Sequence, residues 1–198
     1  VECWGSNSFG QCDAPEGVFA EVAGGQVHSV GLRENGTIEC WGSNSSGQCN
    51  APEGVFTQIS SGRAHCIGLR DDDTIECWGS NFEGQCDAPE GEFVKVAAGW
   101  NHSIGLRMDG TIECWGGNFN GQCDAPGGVF TEVAASSIHS LGLREDGTVM
   151  CWGFVTAEQF VSPNKQCVQI AAGFDHSLFL LKDGTIECQI RLDYGQLD

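Results

Sequence analysis

Phe93-Val94-Lys95-Val96-Ala97-Ala98-Gly99-Trp100-Asn101-His102-Ser103-Ile104-Gly105-Leu106-Arg107-Met108-Asp109-Gly110-Thr111-Ile112-Glu113-Cys114-Trp115-Gly116 holds the grammar of the whole chain. A short apolar run ends at glycine, and two alternating runs flank Asp109-Gly110. Asx-Gly between alternating segments is the strongest local signal for a β-hairpin. The stretch recurs with a spacing of 37: Cys3, Cys40, Cys77, Cys114, Cys151 and Cys188 share one column, and His28, His65, His102, His139 and His176 another. Trp4, Trp41, Trp78, Trp115 and Trp152 form a third. A fixed period of this length means one supersecondary unit copied and stacked. No segment carries the period of a helix, so each unit reads as a strand, a hairpin and a Pro/Gly-rich return, and the chain as all-β.

The motif Ala98-Gly99-x-x-His102-Ser103-x-x-Leu106-x-x-Asp109-Gly110, followed by Trp115-Gly116-x-Asn118-x-x-Gly121-Gln122, resembles the repeat of the regulator-of-chromosome-condensation (RCC1-like) β-propellers. The resemblance extends over essentially all of residues 1–198. It implies one repeat domain of about five 37-residue blades, each of about three to four antiparallel strands around a channel. Residues 187–198 form a partial, degenerate last unit. The chain opens in mid-repeat at Val1-Glu2-Cys3-Trp4 and reads as a piece of a longer precursor. Its Glu2–Gly5 segment is a surplus third strand. Three roles suit it: closing a ring against the last blade, pairing with another molecule, or continuing upstream blades. An unpaired edge is a template for association.

Nine basic against 27 acidic residues give a net charge of −18, the opposite of a nucleic-acid footprint. No apolar run is long enough to span a membrane as a helix. Twelve cysteines are many for a reducing compartment and point to an extracellular or secretory-lumen location. The cysteines of the RCC1-like resemblance suit a secreted branch of the family.

The repeats act as an internal mutation series. Cys12, Cys49, Cys86 and Cys123 lie nine residues after the Cys-Trp-Gly cysteine, but the fifth unit holds Phe160 there. Seven residues later the column Phe19, Phe56, Phe93, Phe130 holds Cys167. This exchange predicts disulfides Cys3–Cys12, Cys40–Cys49, Cys77–Cys86, Cys114–Cys123 and Cys151–Cys167. Each nine-residue loop so closed is worth about 2.6 kcal/mol in chain entropy. Cys66 and Cys188 are left over, with Cys66 a competitor for Cys77 across its hairpin. Gly31, Gly68, Gly105 and Gly142 precede the tryptophans by ten residues, and the last unit holds Phe179 and Gln189. This predicts an indole lying over each glycine, with Phe179 refilling the volume when Trp is lost.

The histidine column reads as structural, each imidazole bonding backbone between blades, because the period spreads the rings too far apart to converge on zinc. Glu21, Glu132, Glu39, Glu76 and Glu113 read as exposed alternate strand positions. There is no phosphate loop and no nucleophile elbow. The expectation is a non-enzyme without cofactor or metal. Recognition is expected where columns vary while the frame holds, at the pair between Gly and His and the pair before Gly-Gln. Trp100, Phe174, Arg63, Phe82 and Phe119 are the candidate partner-contacting residues. Of three sequons, Asn44 and Asn35 are candidate glycan sites, while Asn101 adjoins the structural histidine. The leading functional expectation is a building block of an extracellular assembly, self-associating head to tail through terminal strands or binding a protein partner. The alternatives are a secreted binder or inhibitor using one propeller face, and an intracellular exchange-factor or ubiquitin-pathway propeller.

Overall fold

A computed structural model describes residues 1–154, 162–163 and 165–190. Phe160 and residues 191–198 lie outside that range, so the Phe160 half of the Phe/Cys exchange and most of the partial unit are not described. Five three-stranded antiparallel sheets follow one another along the chain. They are β1 (Phe19–Gly24), β2 (His28–Arg33) and β3 (Ile38–Gly42); β4 (Phe56–Ser61), β5 (His65–Arg70) and β6 (Ile75–Gly79); β7 (Phe93–Ala98), β8 (His102–Arg107) and β9 (Ile112–Gly116); β10 (Glu132–Ala135), β11 (His139–Leu143) and β12 (Val149–Gly153); and β13 (Cys167–Ala172), β14 (His176–Leu181) and β15 (Ile186–Ile190). Each sheet is a blade. The first strands β1, β4, β7, β10 and β13 pack side by side in chain order, and the loops that leave them line one central space.

Local chemistry explains the hairpins. Gly36 N donates to Arg33 O, and Asn35 Oδ1 accepts from Thr37 N and Thr37 Oγ1. The glycine sits in the left-handed region, at φ 82° for Gly36, 81° for Gly110 and 83° for Gly147. The second blade has no glycine there. Asp73 occupies the turn at φ 64°, the one non-glycine residue with positive φ among those described. The run Asp71-Asp72-Asp73 is therefore this hairpin turn, with Asp72 holding Thr74 as Asn35 holds Thr37.

The core lies between blades. Val30 and Leu32 of the first blade pack with Phe56, Ile59, Cys66 and Trp78 of the second, and equivalent clusters recur along the array. The ring over each hairpin glycine is not the expected indole. A Cβ on Gly31, Gly105 or Gly142 would strike Phe19, Phe93 or Phe130, and on Gly68 it would meet Phe56 well before Trp78. The indole packs one layer out, 6.0 Å from Phe19 for Trp41 and 6.3 Å from Phe56 for Trp78. In the fifth blade the phenylalanine column becomes Cys167, and Phe179 on the glycine column fills the same volume, fully buried beside it. The compensation is thus for the lost phenyl ring, as core packing density requires.

The polar residues of the repeat are mostly inter-blade fasteners. His65 Nε2 lies 3.1 Å from Ser103 Oγ, His102 Nε2 3.0 Å from Ser140 Oγ and His139 Nε2 2.9 Å from Ser177 Oγ. The partner is the next blade's hydroxyl, not the backbone expected from sequence. Burial pushes His28, His65 and His139 down to about 4 and His102 to about 3, so these rings are neutral at physiological pH. Gly99 precedes its histidine because a Cβ there would overlap the His102 ring and Ser136 O. In the fourth blade Ser136 takes the glycine place and its Oγ bonds His139 Nδ1 at 2.6 Å.

The glutamates are not idle surface either. Arg33 bonds Glu39, Arg70 bonds Glu76 and Arg107 bonds Glu113, while each guanidinium lies over a phenyl ring, 4.6 Å from that of Phe19. Glu21 accepts from Ile59 N and Glu132 from Ile170 N, across the blade boundary in both cases. Burial raises the Glu21 carboxyl above its ordinary range against the lowering effect of that backbone donor.

The segment Glu2–Gly5 forms no strand, and Trp4 is 86% exposed. Among the described residues no strand pairs with it.

Candidate functional site

Because the strands alternate in direction, the ends of β1 and β3, and of their counterparts, share one end of each blade. Both variable loop sets therefore emerge on one face of the array. Trp100 N donates to Ser136 O at 3.0 Å, Arg63 N to Trp100 O at 3.3 Å and Gln26 N to Arg63 O at 3.4 Å. These bonds link the inner loops from blade to blade around the channel mouth. On this frame Arg63 lies 5.1 Å over the Trp100 ring, Trp100 meets Phe174 edge-on at 4.5 Å, and Arg63 Nε donates to Gln26 Oε1. Arg63, Trp100 and Phe174 thus form one continuous stack, with the channel mouth on one side.

The outer loops have a rigid base and a free tip. In the third blade Asn118 Oδ1 accepts from Cys123 N and Asn118 Nδ2 donates to Asp124 Oδ1, both at 2.8 Å. Gln122 Oε1 accepts from Asn120 N, and Gly121 turns the chain at φ 77°. The carbonyl below is fixed from the following blade, where Ser140 Oγ and Trp152 Nε1 both donate to Gln122 O at 2.9 Å. The same set recurs around Gln85, and around Gln48 Trp78 Nε1 donates while the Cys66 thiol takes the place of the serine hydroxyl. These bonds fix the base, and the aromatic tip residues project outward. Phe82 is 91% exposed and Phe119 82%. Trp100, Phe174 and Phe119 line one cavity of about 300 Å³ with Asn101 and Asp175, and Arg63 and Phe82 line the adjoining one. The structure thus brings the five candidate contact residues onto one face. Asp175 and Gln26, members of the same variable pairs, stand beside them.

The candidate cysteines divide. Cys77 and Cys86 are joined by a disulfide. The other pairs stand open as thiols. Cys114 and Cys123 are mutual hydrogen-bond neighbours, which pushes the Cys114 thiol up and holds Cys123 low. Cys151 packs against the cluster that contains Cys167. Cys3 is exposed, and the Cys12 thiol turns to Ser6 O. Cys40 faces Cys66. Cys66 does not compete for Cys77: in the β5–β6 register it opposes Trp78, while Ile67 opposes Cys77. Neighbouring strand residues point to opposite faces.

The two sequon asparagines sit at opposite ends of the blades. Asn35 is in the hairpin turn, and Asn44 is at an outer-loop base, donating to Asn50 and accepting from Cys49 N. No group of three or more His, Cys, Asp or Glu among the described residues is placed to hold a metal ion. Among the described residues no helix is long and apolar enough to cross a membrane.

Residues 19–48, 56–85, 93–122 and 130–154 each match the regulator of chromosome condensation (RCC1) repeat. No curated protein sequence matches the chain. Among solved structures, the ectodomain of the Physcomitrella patens receptor kinase CR4 superposes with a TM-score of 0.80 at 27% identity, over 94% of this chain and 55% of that one. The chain therefore spans about half of that ectodomain. The CRINKLY WD40 ectodomain of the Arabidopsis thaliana receptor kinase ACR4 gives 0.77 at 24% identity, over 96% and 73%. Prp20p of Saccharomyces cerevisiae gives 0.71 at 18%, over 86% and 57%. With four repeat matches on five antiparallel blades, this chain belongs to the RCC1-repeat family of β-propellers.

Proposed function

We propose that the chain is a non-catalytic, extracellular protein-interaction module, and specifically a building block that self-associates blade to blade. The similarity to a receptor-kinase ectodomain, the Cys77–Cys86 bridge and the acidic surface support an extracellular setting. The observation that carries the assembly reading is the repeated blade-to-blade contact, half of which each terminal blade of the described array presents. Ile59, Val96, Val133 and Ile170 are each at most 8% exposed beneath the preceding blade, whereas the equivalent Val22 is 52% exposed. At the other end Ile186 is 68% exposed where Val149 is 2%, and His176 is exposed where the other histidines are buried. The first blade offers Ser29 and Val22 N, and the fifth offers His176 and Gln169. These are the groups that mate at the internal boundaries through His–Ser and Gln58–Val96 N bonds. A heterologous contact of this kind extends or closes a ring.

Sedimentation velocity over micromolar to millimolar concentration tests it. The expected result is a mass that rises with concentration and falls back with Val22→Glu. A single monomer mass throughout overturns it. The second reading, a secreted binder using the Arg63, Trp100, Phe174, Phe82 and Phe119 face, is favoured by the exposed phenyl rings, and the monomer result supports it. An intracellular exchange factor is the third reading. It rests on the likeness to Prp20p, a structure described together with that protein's binding to Gsp1p and histones, and free thiols throughout the purified protein support it.

A further inference from the structure

The serine that receives each inter-blade histidine is replaced once. The column reads Ser29, Cys66, Ser103, Ser140, Ser177. Cys66 is fully buried, with His28 Nε2 3.2 Å from its Sγ, Ser61 Oγ at 3.7 Å and Gln48 O at 3.6 Å. Across the blade boundary it meets Cys40 of β3 in the same apolar cluster. The thiol of Cys49, the sequence-based partner of Cys40, is instead directed at Ser43 O, 3.2 Å away. In the second blade, by contrast, the cysteine of β6 has the loop cysteine as its partner. Cys40 therefore has two candidate partners, Cys49 along the chain and Cys66 on the next blade.

We propose that Cys40 and Cys66 are a disulfide site that cross-links the first blade to the second, leaving Cys49 as a thiol. The bond forms by exchange with a low-molecular-weight disulfide. The Cys40 thiolate attacks it, giving a mixed disulfide and releasing one thiol. The Cys66 thiolate then displaces the second thiol from Cys40. The proton of Cys66 passes through the neutral His28 imidazole to the departing thiolate, and the small disulfide ends as two thiols. The hydrogen bond from Cys66 holds the Cys40 thiol below its ordinary range and makes it the first nucleophile, while burial keeps Cys66 protonated until the imidazole takes its proton.

The bond is read by mass mapping after oxidation in a glutathione redox buffer, alkylation in denaturant, and digestion with trypsin and chymotrypsin. Arg63, Trp41 and Phe56 cleave the three cysteines onto separate peptides. The expected result joins the Cys40 and Cys66 peptides and alkylates Cys49 in most molecules. Cys66→Ser, the residue of the other four blades, is then expected to transfer the bond to Cys49 and abolish its alkylation. A Cys40–Cys49 link with Cys66 alkylated overturns the proposal. So does alkylation of both Cys40 and Cys66 in a sample whose Cys77–Cys86 bridge has closed.

Discussion

Asp73→Gly is expected to stabilise the protein. At φ 64° Asp73 holds a backbone conformation that its neighbours in the series assign to glycine. The left-handed region costs an L-residue about 1–2 kcal/mol. Glycine gives back about 0.5–1 kcal/mol through the freedom of its unfolded chain. The hydrogen bond from Phe93 N to the carbonyl of residue 73 is kept, since Phe56 N and Phe130 N bond Gly36 and Gly110 in the same way. A Cβ at Gly36 or Gly110 would meet Val55 or Val129, and the corresponding position opposite Asp73 is Glu92. The substitution also removes one negative charge from a chain of net charge −18. The net gain is about 1 kcal/mol, or about 2–4 °C in Tm for a domain of this size. Urea and thermal unfolding followed by tryptophan fluorescence, at matched disulfide content, measure it. A loss of stability, or a Tm unchanged within error, refutes the turn-strain argument.

Three further outcomes are expected. The buried histidines have folded-state values near 3–4, below the ordinary 6.5, so the unfolded chain binds more protons between those limits. Stability is then fully present above about pH 6.5 and falls as pH drops toward 4, by roughly 3 kcal/mol per histidine, and a denaturation midpoint that is flat from pH 7 to 4.5 contradicts this. Gly99→Ala places a Cβ 2.2 Å from the His102 ring and 2.5 Å from Ser136 O, and is expected to cost about 3 kcal/mol in chemical denaturation. Phe82→Ser and Phe119→Ser are expected to leave stability within about 0.5 kcal/mol, whereas Trp100→Ala, which dismantles the Arg63–Trp100–Phe174 stack, lowers Tm by several degrees in differential scanning calorimetry.

The period, the hairpin dipeptides and the Cys-Trp-Gly columns made the blade architecture readable, because spacing survives whatever each side chain touches. The gathering of Trp100, Phe174, Arg63, Phe82 and Phe119 on one face followed from strand direction alone. What escaped was contact across the blade boundary. Phe19, not Trp41, covers Gly31, since a residue on the first strand can overhang the middle one from either side. Cys66 looked like a rival for Cys77 across its hairpin, but pleat alternation turns it toward the preceding blade. Glu21 and Glu39 looked solvated because alternation marks them as outward, and their partners are a backbone amide of the next blade and an arginine of their own hairpin.

The outer loops are moored by the carbonyl of Gln48, Gln85 or Gln122, a group every amino acid possesses, and by an asparagine and a glutamine set beneath the turn. Mutation at the crest therefore travels almost without structural cost, from Ser45-Ser46 to Phe82-Glu83 to Phe119-Asn120. Such a surface is free to be rewritten for new ligands by drift, one blade at a time, while the scaffold beneath stays unaware of the change.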